Sequence, residues 1–420
     1  MPVRRIQSYL ARRHTVRAHL WQTAANYVQQ GSAIVLGIVL ARLLSPEEFG
    51  QFSYASAVLG MALLFAGMTL SPLILARKRE NPSIVADAFR LARLLYIFRL
   101  IIAVSCCVWM YFIGKQTEAL IGSIIALPMI FCDYLSIQRS CLEAEGIFKM
   151  NVWNSILTVA SVVGIAIPAA WAGAGVWALT LPAIPLFLAQ VFLFRSTRKR
   201  FDPGPLPTPG KDFHFGQSVS IWLGGLGDQA LVWLDKIAVG TFAGDAALGN
   251  YNRAFNYSPV AAIVFNSLMT NPTVMAISRA PTVKSKLLVQ IKCLGILSFA
   301  GLLNAIVLLF FSEPIVRFVF GEKWLASVPV FQAFAFYSLA RGLASMPATF
   351  LASLGMFTHI AYCRMIALTI SILVVYFGAD SIKDIMEYSI WISLNLQANL
   401  LIQSFLLFLV QFSRLRNPIS

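Results

Sequence analysis

Twelve apolar stretches alternate with short polar segments along this chain. Each carries few charges and is about as long as the roughly 20-residue helix that crosses the hydrocarbon core of a bilayer. The pattern predicts an all-α integral membrane protein with about 12 transmembrane helices. The predicted spans are residues 21–41, 52–76, 94–114, 119–138, 152–171, 174–194, 215–234, 256–277, 294–311, 328–354, 359–379 and 388–412.

The composition supports a membrane protein. Hydrophobic residues make up 58% of the 420 residues and charged residues 12%, about half the charged share of a soluble domain. The sequence contains no glycine-rich phosphate loop and no histidine pair at metal-ligand spacing. Its six cysteines lie in or beside predicted spans, without a metal or disulfide spacing. We therefore expect a protein that is not an enzyme and that has no catalytic residues, metal or cofactor.

The net charge of +15 is distributed unevenly across the predicted topology. With the N-terminus in the cytoplasm, 23 lysines and arginines lie on the cytoplasmic side and 6 on the outer side. This asymmetry follows the positive-inside rule and predicts that both termini are cytoplasmic. The charge therefore indicates orientation in a membrane and not a nucleic-acid partner. A full-length span follows the basic N-terminus, so we expect the chain to keep this segment instead of losing it as a signal peptide.

A segment rich in proline and glycine divides the predicted spans into two sets of six. Residues 196–213 form this linker on the cytoplasmic side, where proline prevents a continuous helix. We predict a basic N-terminus at 1–20, six-helix bundles at 21–195 and 214–413, and a cytoplasmic tail at 414–420. Because each half has an even number of spans, the two halves form a parallel repeat around a central cavity, related by an axis along the membrane normal.

The turn after the first span recurs 199 residues later. Residues 43–52 align with residues 242–251, so that Gly50 falls on Gly249. Each copy links two apolar stretches, as expected for a duplicated bundle. A chain that consists of membrane helices and repeats at half its length is typical of a transporter, because two similar bundles can rock about a site between them.

Local residues in this turn predict how the following helices begin. In the first copy, Ser45 and Glu48 are predicted to form a capping box with Pro46 at the first helical position. In the second copy, Asp245 is predicted to be the N-cap.

Arg341 is the foremost candidate for function. An ionisable group inside a span is costly in a bilayer and usually faces a cavity or a partner. Arg341 lies in the middle of a predicted span beside Gly342, Ala344 and Ser345, which leave room next to it. It either binds an anionic substrate or forms a buried ion pair that fixes helix packing, and we favour the first interpretation.

Four further basic residues are candidates for a substrate-binding cavity. Arg99 lies about one turn inside the third span and either lines the cavity or reaches back to the inner surface. Arg253 and Arg42 lie at the outer ends of spans, where each either lines the cavity or anchors a helix at the membrane interface. Lys236 adjoins Asp235 near the end of the seventh span.

Two carboxylates within spans, Asp133 and Asp228, are candidates for ion coupling. Each either partners an arginine or binds a proton or a sodium ion.

Two segments resemble a known family. The segment ARLLSPEEFGQFS, residues 41–53, resembles the first-loop signature of the polysaccharide transporter family. The segment VFGEKW, residues 319–324, with Ala326 and Pro329, is similar to that family's pattern before the tenth span. The family comprises bacterial oligosaccharide-lipid flippases of Wzx type and belongs to the multidrug/oligosaccharidyl-lipid/polysaccharide exporter superfamily. Length, number of spans and inside termini agree with it.

The resemblance implies a flippase of the bacterial inner membrane. Such proteins move a polyprenyl-pyrophosphate-linked oligosaccharide to the outer leaflet by alternating access, for O-antigen, exopolysaccharide or capsule synthesis. It also implies two six-helix bundles around a cationic cavity, with membrane lipid, a polysaccharide polymerase and a chain-length regulator as possible partners. The cationic cavity agrees with the chemistry of the cargo, because arginine binds phosphate through a planar fork.

Two other functions are compatible with the pattern. A drug or cation antiporter of the same superfamily would use intramembrane carboxylates, yet arginines are at least as prominent here. A polysaccharide polymerase or lipid-linked glycosyltransferase would usually have a long outer loop or domain, whereas the predicted outer connections are short. The sequence does not identify the sugar or the coupling ion.

Overall fold

The computed structural model describes residues 30–66, 74, 83–144, 149–198, 215–259, 282–378 and 385–416. The regular secondary structure of these residues is helical, as the sequence predicts. The helices are α1 Gln30–Leu43, α2 Pro46–Phe65, α3 Ser83–Phe112, α4 Gln116–Ala144, α5 Lys149–Ser161, α6 Ile167–Trp171, α7 Trp177–Thr180, α8 Ala183–Arg198, α9 Phe215–Phe242, α10 Asp245–Tyr257, α11 Val283–Val319, α12 Val328–Ala333, α13 Tyr337–Ser353, α14 Phe357–Gly378 and α15 Ile385–Arg416. The predicted N-terminal segment 1–20, most of the linker 196–213 and residues 417–420 of the tail lie outside the described residues.

Seven helical segments of the described chain are long and apolar enough to cross a membrane. Many of their large apolar side chains are exposed at the protein surface, which in a bilayer is the surface that contacts lipid. The protein is therefore a multi-pass membrane protein, while the number of twelve spans stays a prediction. The seven segments are Ala88–Phe112, Gln116–Glu143, Val152–Trp171, Trp177–Ser196, Lys284–Val319, Phe357–Phe377 and Met386–Arg414.

Two predicted spans are interrupted in the structure. The predicted span 328–354 consists of α12 and α13, separated by a turn at residues 334–336. The predicted span 174–194 begins with the short helix α7 and continues as α8 after Leu181 and Pro182. Apolar runs alone do not reveal these breaks, because a turn within a membrane protein retains apolar side chains when neighbouring helices cover it.

The described chain divides into two compact units. One contains the described residues within 1–44 and 65–218, and the other contains those within 45–64 and 219–420. Helix α2 therefore packs with helices of the second half, although the sequence groups it with the first bundle at 21–195. The predicted bundle boundaries stay predictions.

In the first unit, α3 and α4 pack closely along their length. Ala88 and Ala92 on α3 contact Ile137 and Cys141 on α4 in a fully apolar cluster. Small residues on α3 allow the two helix backbones to approach, which is the usual way that membrane helices associate. Helix α8 packs against the other side of α4, where Phe131 lies 5.4 Å from the ring of Phe194.

In the second unit, buried amides join long helices. Gln290 on α11 and Gln411 on α15 exchange hydrogen bonds of 3.0 and 2.7 Å. Gln403 on α15 donates to Asn399, which in turn donates to Ser371 on α14. In a membrane interior these amides satisfy one another and hold the helices in register.

The predicted capping box of α2 is present. The hydroxyl of Ser45 accepts a hydrogen bond from the amide of Glu48 at 3.2 Å, and the Glu48 carboxylate accepts one from the Ser45 amide at 2.7 Å. The predicted cap of α10 is wrong, because the N-cap is Gly244, with φ of 85° and no side-chain bond. Asp245 instead occupies the first turn of α10, where its negative charge favours the helix N-terminus.

The two copies of the repeated turn lie against each other within the second unit. A Cβ on Gly50 would overlap the backbone carbonyl of Asp245, and a Cβ on Gly249 would overlap that of Pro46. Gly50 is equivalent to Gly249 in the repeat, and Pro46 is equivalent to Asp245. The two contacts are therefore the same contact made in both directions, as in an interface with twofold symmetry. Only glycine permits this approach, so the close contact explains why both copies carry glycine here.

Candidate functional site

A charged cluster joins three helices of the second unit. Asp228 on α9 accepts a hydrogen bond from Arg341 on α13, with 3.3 Å between Oδ2 and Nη2. Its other oxygen, Oδ1, lies 3.8 Å from Nη2 of Arg364 on α14. The side chains of Asp228 and Arg364 are 17% and 20% exposed. One carboxylate therefore serves two guanidinium groups, that of the largely buried Arg364 and that of the more exposed Arg341, and the cluster keeps an excess positive charge.

Small residues on α9 let α14 come close enough for this pairing. A Cβ on Gly227 would lie 2.8 Å from Cβ of Arg364, which is shorter than any ordinary carbon contact. Gly224, one turn earlier, accepts a hydrogen bond of 3.0 Å from Nη1 of Arg364 through its carbonyl oxygen. The glycines thus fix the position of the Arg364 side chain along α9.

A cavity of about 300 Å³ adjoins the cluster. Residues of α9, α13 and α14 line it, and Arg364 is the charged group in its wall among the described residues. Ser220, Ser345 and Thr349 add hydroxyl groups to an otherwise apolar lining. Such a cavity, with a cation and a few hydroxyl groups in an otherwise apolar wall, is suited to an anionic ligand.

The sequence predicts part of this cluster. Arg341 is a predicted binding residue, and this stays a prediction: its side chain is 36% exposed and pairs with Asp228, whereas Ser345, one turn further along α13, lines the cavity. Asp228 was expected either to partner an arginine or to bind an ion, and the structure shows the partner. The sequence does not single out Arg364, because it lies near the cytoplasmic end of the predicted span 359–379, where a basic residue is expected. Its signal was the same as that of Arg341, an arginine within an apolar stretch.

Arg253, another predicted binding residue, lies in a box of aromatic rings. Its guanidinium carbon is 3.9 Å from the ring centroid of Phe49, 4.8 Å from that of Trp324 and 5.2 Å from that of Tyr257. Phe320 completes the box at 5.5 Å. The residue is 5% exposed. Cation–π contacts of this kind are strongest when the cation is desolvated, so the geometry favours a role in holding the two repeated turns to the loop at Glu322–Ser327.

A second cation, Lys323, lies in that loop. Partial burial lowers the pKa of Lys323, and the nearby charge of Arg253 lowers it further, whereas Glu48 raises it. Lys323 in the loop and Arg253 on α10 are therefore two cations in one neighbourhood, and the carboxylate of Glu48 offsets part of their repulsion.

The remaining predicted basic residues have other surroundings within their own units. Arg99 lies in the first compact unit and is 7% exposed. Arg42 is exposed near the end of α1. The ammonium of Lys236 on α9 lies over the rings of Trp233 and Phe255, at 5.1 and 5.0 Å.

Asp133 falls within α4, but its side chain is outside the described residues. No group of three or more histidine, cysteine, aspartate or glutamate side chains in the described chain has the geometry of a metal site.

Comparisons with known proteins agree with the helical fold. A family described as "Polysaccharide biosynthesis protein" matches residues 39–329, more than half of the chain. The lipopolysaccharide biosynthesis protein WzxC of Escherichia coli strain K12 is 23% identical over 356 residues, which are 79% of this chain and 68% of that protein.

Two solved structures share the fold. The lipid II flippase MurJ in an inward closed conformation has a TM-score of 0.68 at 15% identity, covering 93% of this chain and 87% of that chain. An inward-facing multidrug resistance transporter of the MATE family, from the MOP superfamily, has a TM-score of 0.61 at 13% identity, covering 92% and 94% of the two chains.

Proposed function

Because this chain belongs to the polysaccharide biosynthesis protein family and shares the fold of the lipid II flippase MurJ, we propose that it is a flippase for a polyprenyl-pyrophosphate-linked oligosaccharide. It acts in the bacterial inner membrane with both termini in the cytoplasm, and it moves its cargo to the outer leaflet by alternating access. The cargo supplies a surface polysaccharide, and a polymerase with a chain-length regulator is the natural recipient.

The paired arginines carry this proposal. A lipid pyrophosphate is an anion whose oxygens match the planar donors of guanidinium groups. Arg341 and Arg364 reach one place from two helices, and Asp228 keeps both oriented. Because the Asp228 carboxylate balances only one of the two guanidinium charges, the site keeps a net positive charge. The pyrophosphate neutralises this charge.

The size of the cavity indicates which part of the cargo it holds. At about 300 Å³ it is at the small end of ligand-binding pockets. It accommodates a phosphate-containing group and not an oligosaccharide. The hydroxyl of Ser220 then donates to a phosphate oxygen that the arginines leave free, whereas the hydroxyls of Ser345 and Thr349 donate to backbone carbonyls of α13.

Asp228 has a distinct part in this mechanism. In the empty site its oxygens occupy the donors that the pyrophosphate later takes. A pyrophosphate carries more negative charge than one carboxylate and competes for both guanidinium groups. The binding of cargo therefore loosens contacts between α9, α13 and α14, the three helices that the cluster joins. Ion coupling through Asp133 or Asp228 stays a prediction.

The site is less suitable for the cation antiporter considered above. A cationic drug would be repelled by two arginines, and the one carboxylate between them is already engaged. The membrane polymerase or glycosyltransferase is the remaining alternative. The fold shared with the flippase MurJ and with a MATE-family transporter supports a transporter over this enzyme.

Reconstitution into proteoliposomes tests the proposal directly. A polyprenyl-pyrophosphate glycolipid with a fluorescent sugar is placed in both leaflets, and an impermeant reductant bleaches the outer pool. Without flipping, only the label in the outer leaflet is bleached. With active protein, label from the inner leaflet reaches the outer leaflet, and bleaching becomes complete. A protein that leaves half of the fluorescence protected, while a known flippase in the same lipids removes it, would contradict the proposal.

Single substitutions locate the site. Arg341→Ala and Arg364→Ala are each expected to abolish this activity, while Arg341→Lys restores part of it, because a point charge replaces the guanidinium fork. Arg317→Ala is the matched control, since Arg317 forms an exposed ion pair with Glu313 at 3.1 Å, away from the cavity. Equal loss in all three alanine variants would contradict a specific anion site.

A further inference from the structure

A second and larger cavity lies in the same unit, among α9, α14 and α15. We call it the apolar cavity, and the smaller one beside Arg364 the arginine cavity. The volume of the apolar cavity is about 700 Å³, within the range of pockets that hold drug-sized ligands. Most of the residues that line it are aliphatic or aromatic, such as Leu231, Ala238 and Val375. None of its described lining residues lines the arginine cavity.

The polar groups next to the apolar cavity are turned away from it. Asp235 and Tyr388 belong to its lining, but Oδ1 of Asp235 and the hydroxyl oxygen of Tyr388 are buried in the protein and inaccessible to water. The other carboxylate oxygen, Oδ2, accepts a hydrogen bond from Tyr251. These two residues therefore offer carbon to a ligand, and the cavity suits an apolar group.

The rim of the apolar cavity is aromatic and exposed. Phe242, Tyr376 and Phe377 line it and are 71–73% exposed. The rings of Tyr376 and Phe377 meet edge to face at 5.3 Å. Exposed apolar side chains on a membrane helix contact lipid, so an apolar chain can enter the cavity from the bilayer.

The two cavities lie along one pair of helices. Near the beginning of both helices, the hydroxyl groups of Ser220 on α9 and Thr358 on α14 are 3.2 Å apart. Further along, Gly227 on α9 packs against Arg364 on α14. The two helices therefore run side by side in the same direction, and this contacting part lines the arginine cavity.

The apolar cavity is further along the same two helices. Along α9, Gly224 of the arginine cavity and Ala238 of the apolar cavity are about 21 Å apart, at 1.5 Å per residue. Along α14, Ile360 and Val375 are about 22 Å apart by the same measure. A cavity for an anionic group and a cavity for an apolar group are therefore aligned along the seam between α9 and α14.

This separation selects the kind of lipid that reaches both cavities. One leaflet contributes about 15 Å to a hydrocarbon core of about 30 Å. The acyl chains of a phospholipid with its phosphate at the arginine cavity would end before the middle of the apolar cavity. A polyprenyl chain consists of many isoprene units and extends past the midplane, so it reaches the apolar cavity.

We propose that the apolar cavity binds the polyprenyl chain of the same cargo molecule whose pyrophosphate occupies the arginine cavity. This inference rests on the proposed function and adds a site for the lipid part of the cargo. The chain lies along α9 and α14 and enters across the aromatic rim. Since lipid tails are as apolar as this wall, the chain is held by close packing and not by removal from water.

Binding of two ligands to the purified full-length protein in detergent tests the proposal. Undecaprenyl pyrophosphate has a chain that reaches the apolar cavity, whereas isopentenyl pyrophosphate carries the same anionic group on a single isoprene unit. Ala238→Trp fills part of the apolar cavity. Affinity for undecaprenyl pyrophosphate is expected to fall by about tenfold in this variant, because a bulky side chain overfills the site. Affinity for isopentenyl pyrophosphate is expected to stay unchanged.

Two further variants make the comparison specific. Ala398→Trp is the matched control, since Ala398 is exposed on α15 and does not line the apolar cavity. It is expected to leave both affinities unchanged. Thermal unfolding without ligand shows whether each variant is folded. If Ala238→Trp does not fold, Val375→Phe takes its place, because Val375 lines the same cavity from α14.

Unchanged binding of undecaprenyl pyrophosphate by the folded cavity variant would overturn the proposal, as would equal weakening in Ala398→Trp. Displacement of undecaprenyl pyrophosphate by phosphatidylglycerol as effectively as by added undecaprenyl pyrophosphate would overturn it in favour of a site for any lipid chain. Arg364→Ala separates this proposal from the proposed function, because it should weaken both ligands. If it does so and the cavity variant weakens neither, the chain site fails and the proposed function stands. If Arg364→Ala weakens neither, the arginine site itself is contradicted.

Discussion

Substitutions in the Asp228 cluster should separate its structural role from its role in transport. Asp228 contacts two arginines, whereas each arginine contacts one carboxylate. Removing the carboxylate therefore leaves two cations facing each other without compensation. Removing Arg341 leaves Asp228 paired with Arg364. The two changes differ in their expected cost to folding, although both remove one charge from the cluster.

The magnitudes follow from the distances. With an effective dielectric constant of about 20, Coulomb's law gives about 5 kcal/mol for unit charges 3.3 Å apart and about 4 kcal/mol at 3.8 Å. Desolvation offsets most of this attraction, and Arg341 is 36% exposed, so solvent screens it further. We expect Asp228→Asn to lower the free energy of unfolding by about 2–3 kcal/mol, between the values for exposed and buried pairs. Arg341→Gln should cost about 1 kcal/mol or less.

For transport, Arg341→Gln should be more damaging than Asp228→Asn. Arg341→Gln removes charge-assisted hydrogen bonds to the cargo, each worth about 1.5–3 kcal/mol, so the flipping rate at low cargo concentration should fall by at least about tenfold. Asp228→Asn, where it folds, retains both arginines and should keep more activity per folded molecule. Thermal unfolding in detergent gives the first quantity, and the proteoliposome assay, normalised to folded protein, gives the second.

One result would refute this reasoning. If Arg341→Gln destabilises the protein as much as Asp228→Asn does and leaves flipping by the folded fraction unchanged, Arg341 is a packing element. The double variant Asp228→Asn/Arg341→Gln provides a further check, since it leaves a single arginine and should recover stability relative to Asp228→Asn alone.

Three further predictions concern the rest of the second unit. Gly50→Ala should reduce thermal stability markedly, because its Cβ would overlap a backbone carbonyl. Gly295→Ala is the control, because its Cβ would meet nothing within 4 Å. Equal unfolding temperatures of the two variants would contradict the close contact. Arg253→Gln should cost about 2 kcal/mol of stability through lost cation–π contacts, measured by chemical unfolding, and an unchanged midpoint would show that the aromatic box is not stabilising. Cysteines introduced at Glu47 and Lys323, which are both exposed, should react with an impermeant thiol reagent in intact spheroplasts; labelling only after lysis would reverse the predicted orientation.

The sequence predicts the helices and their caps more fully than it predicts which helices pack against each other. Apolar runs predict the helical membrane fold, and the Ser45–Glu48 capping box follows from residues three apart, whose interaction depends only on local backbone geometry. The cap at Asp245 was wrong because the backbone at Gly244 adopts a positive φ, which leaves the aspartate one position inside the helix.

Relations between helices could not be predicted in the same way. Arg341 was recognised because an arginine in a span is costly, and Asp228 was recognised as a possible partner. That these two meet Arg364 depends on how α9, α13 and α14 pack, which no spacing along one helix reveals. The assignment of α2 to the second unit is of the same kind, because it follows from close contacts at glycine rather than from hydrophobicity.

The contact between the two repeated turns has a consequence for how such a chain evolves. Two identical half-length chains that met across a dyad would carry the same residue at each position on the axis. Fusion removes this restriction. Ser53 and Asn252 are equivalent positions of the repeat, 199 residues apart, and the Asn252 amide donates to the Ser53 hydroxyl at 2.6 Å. A single polypeptide can therefore place unlike donors and acceptors where an ancestral homodimer would have faced its own copy.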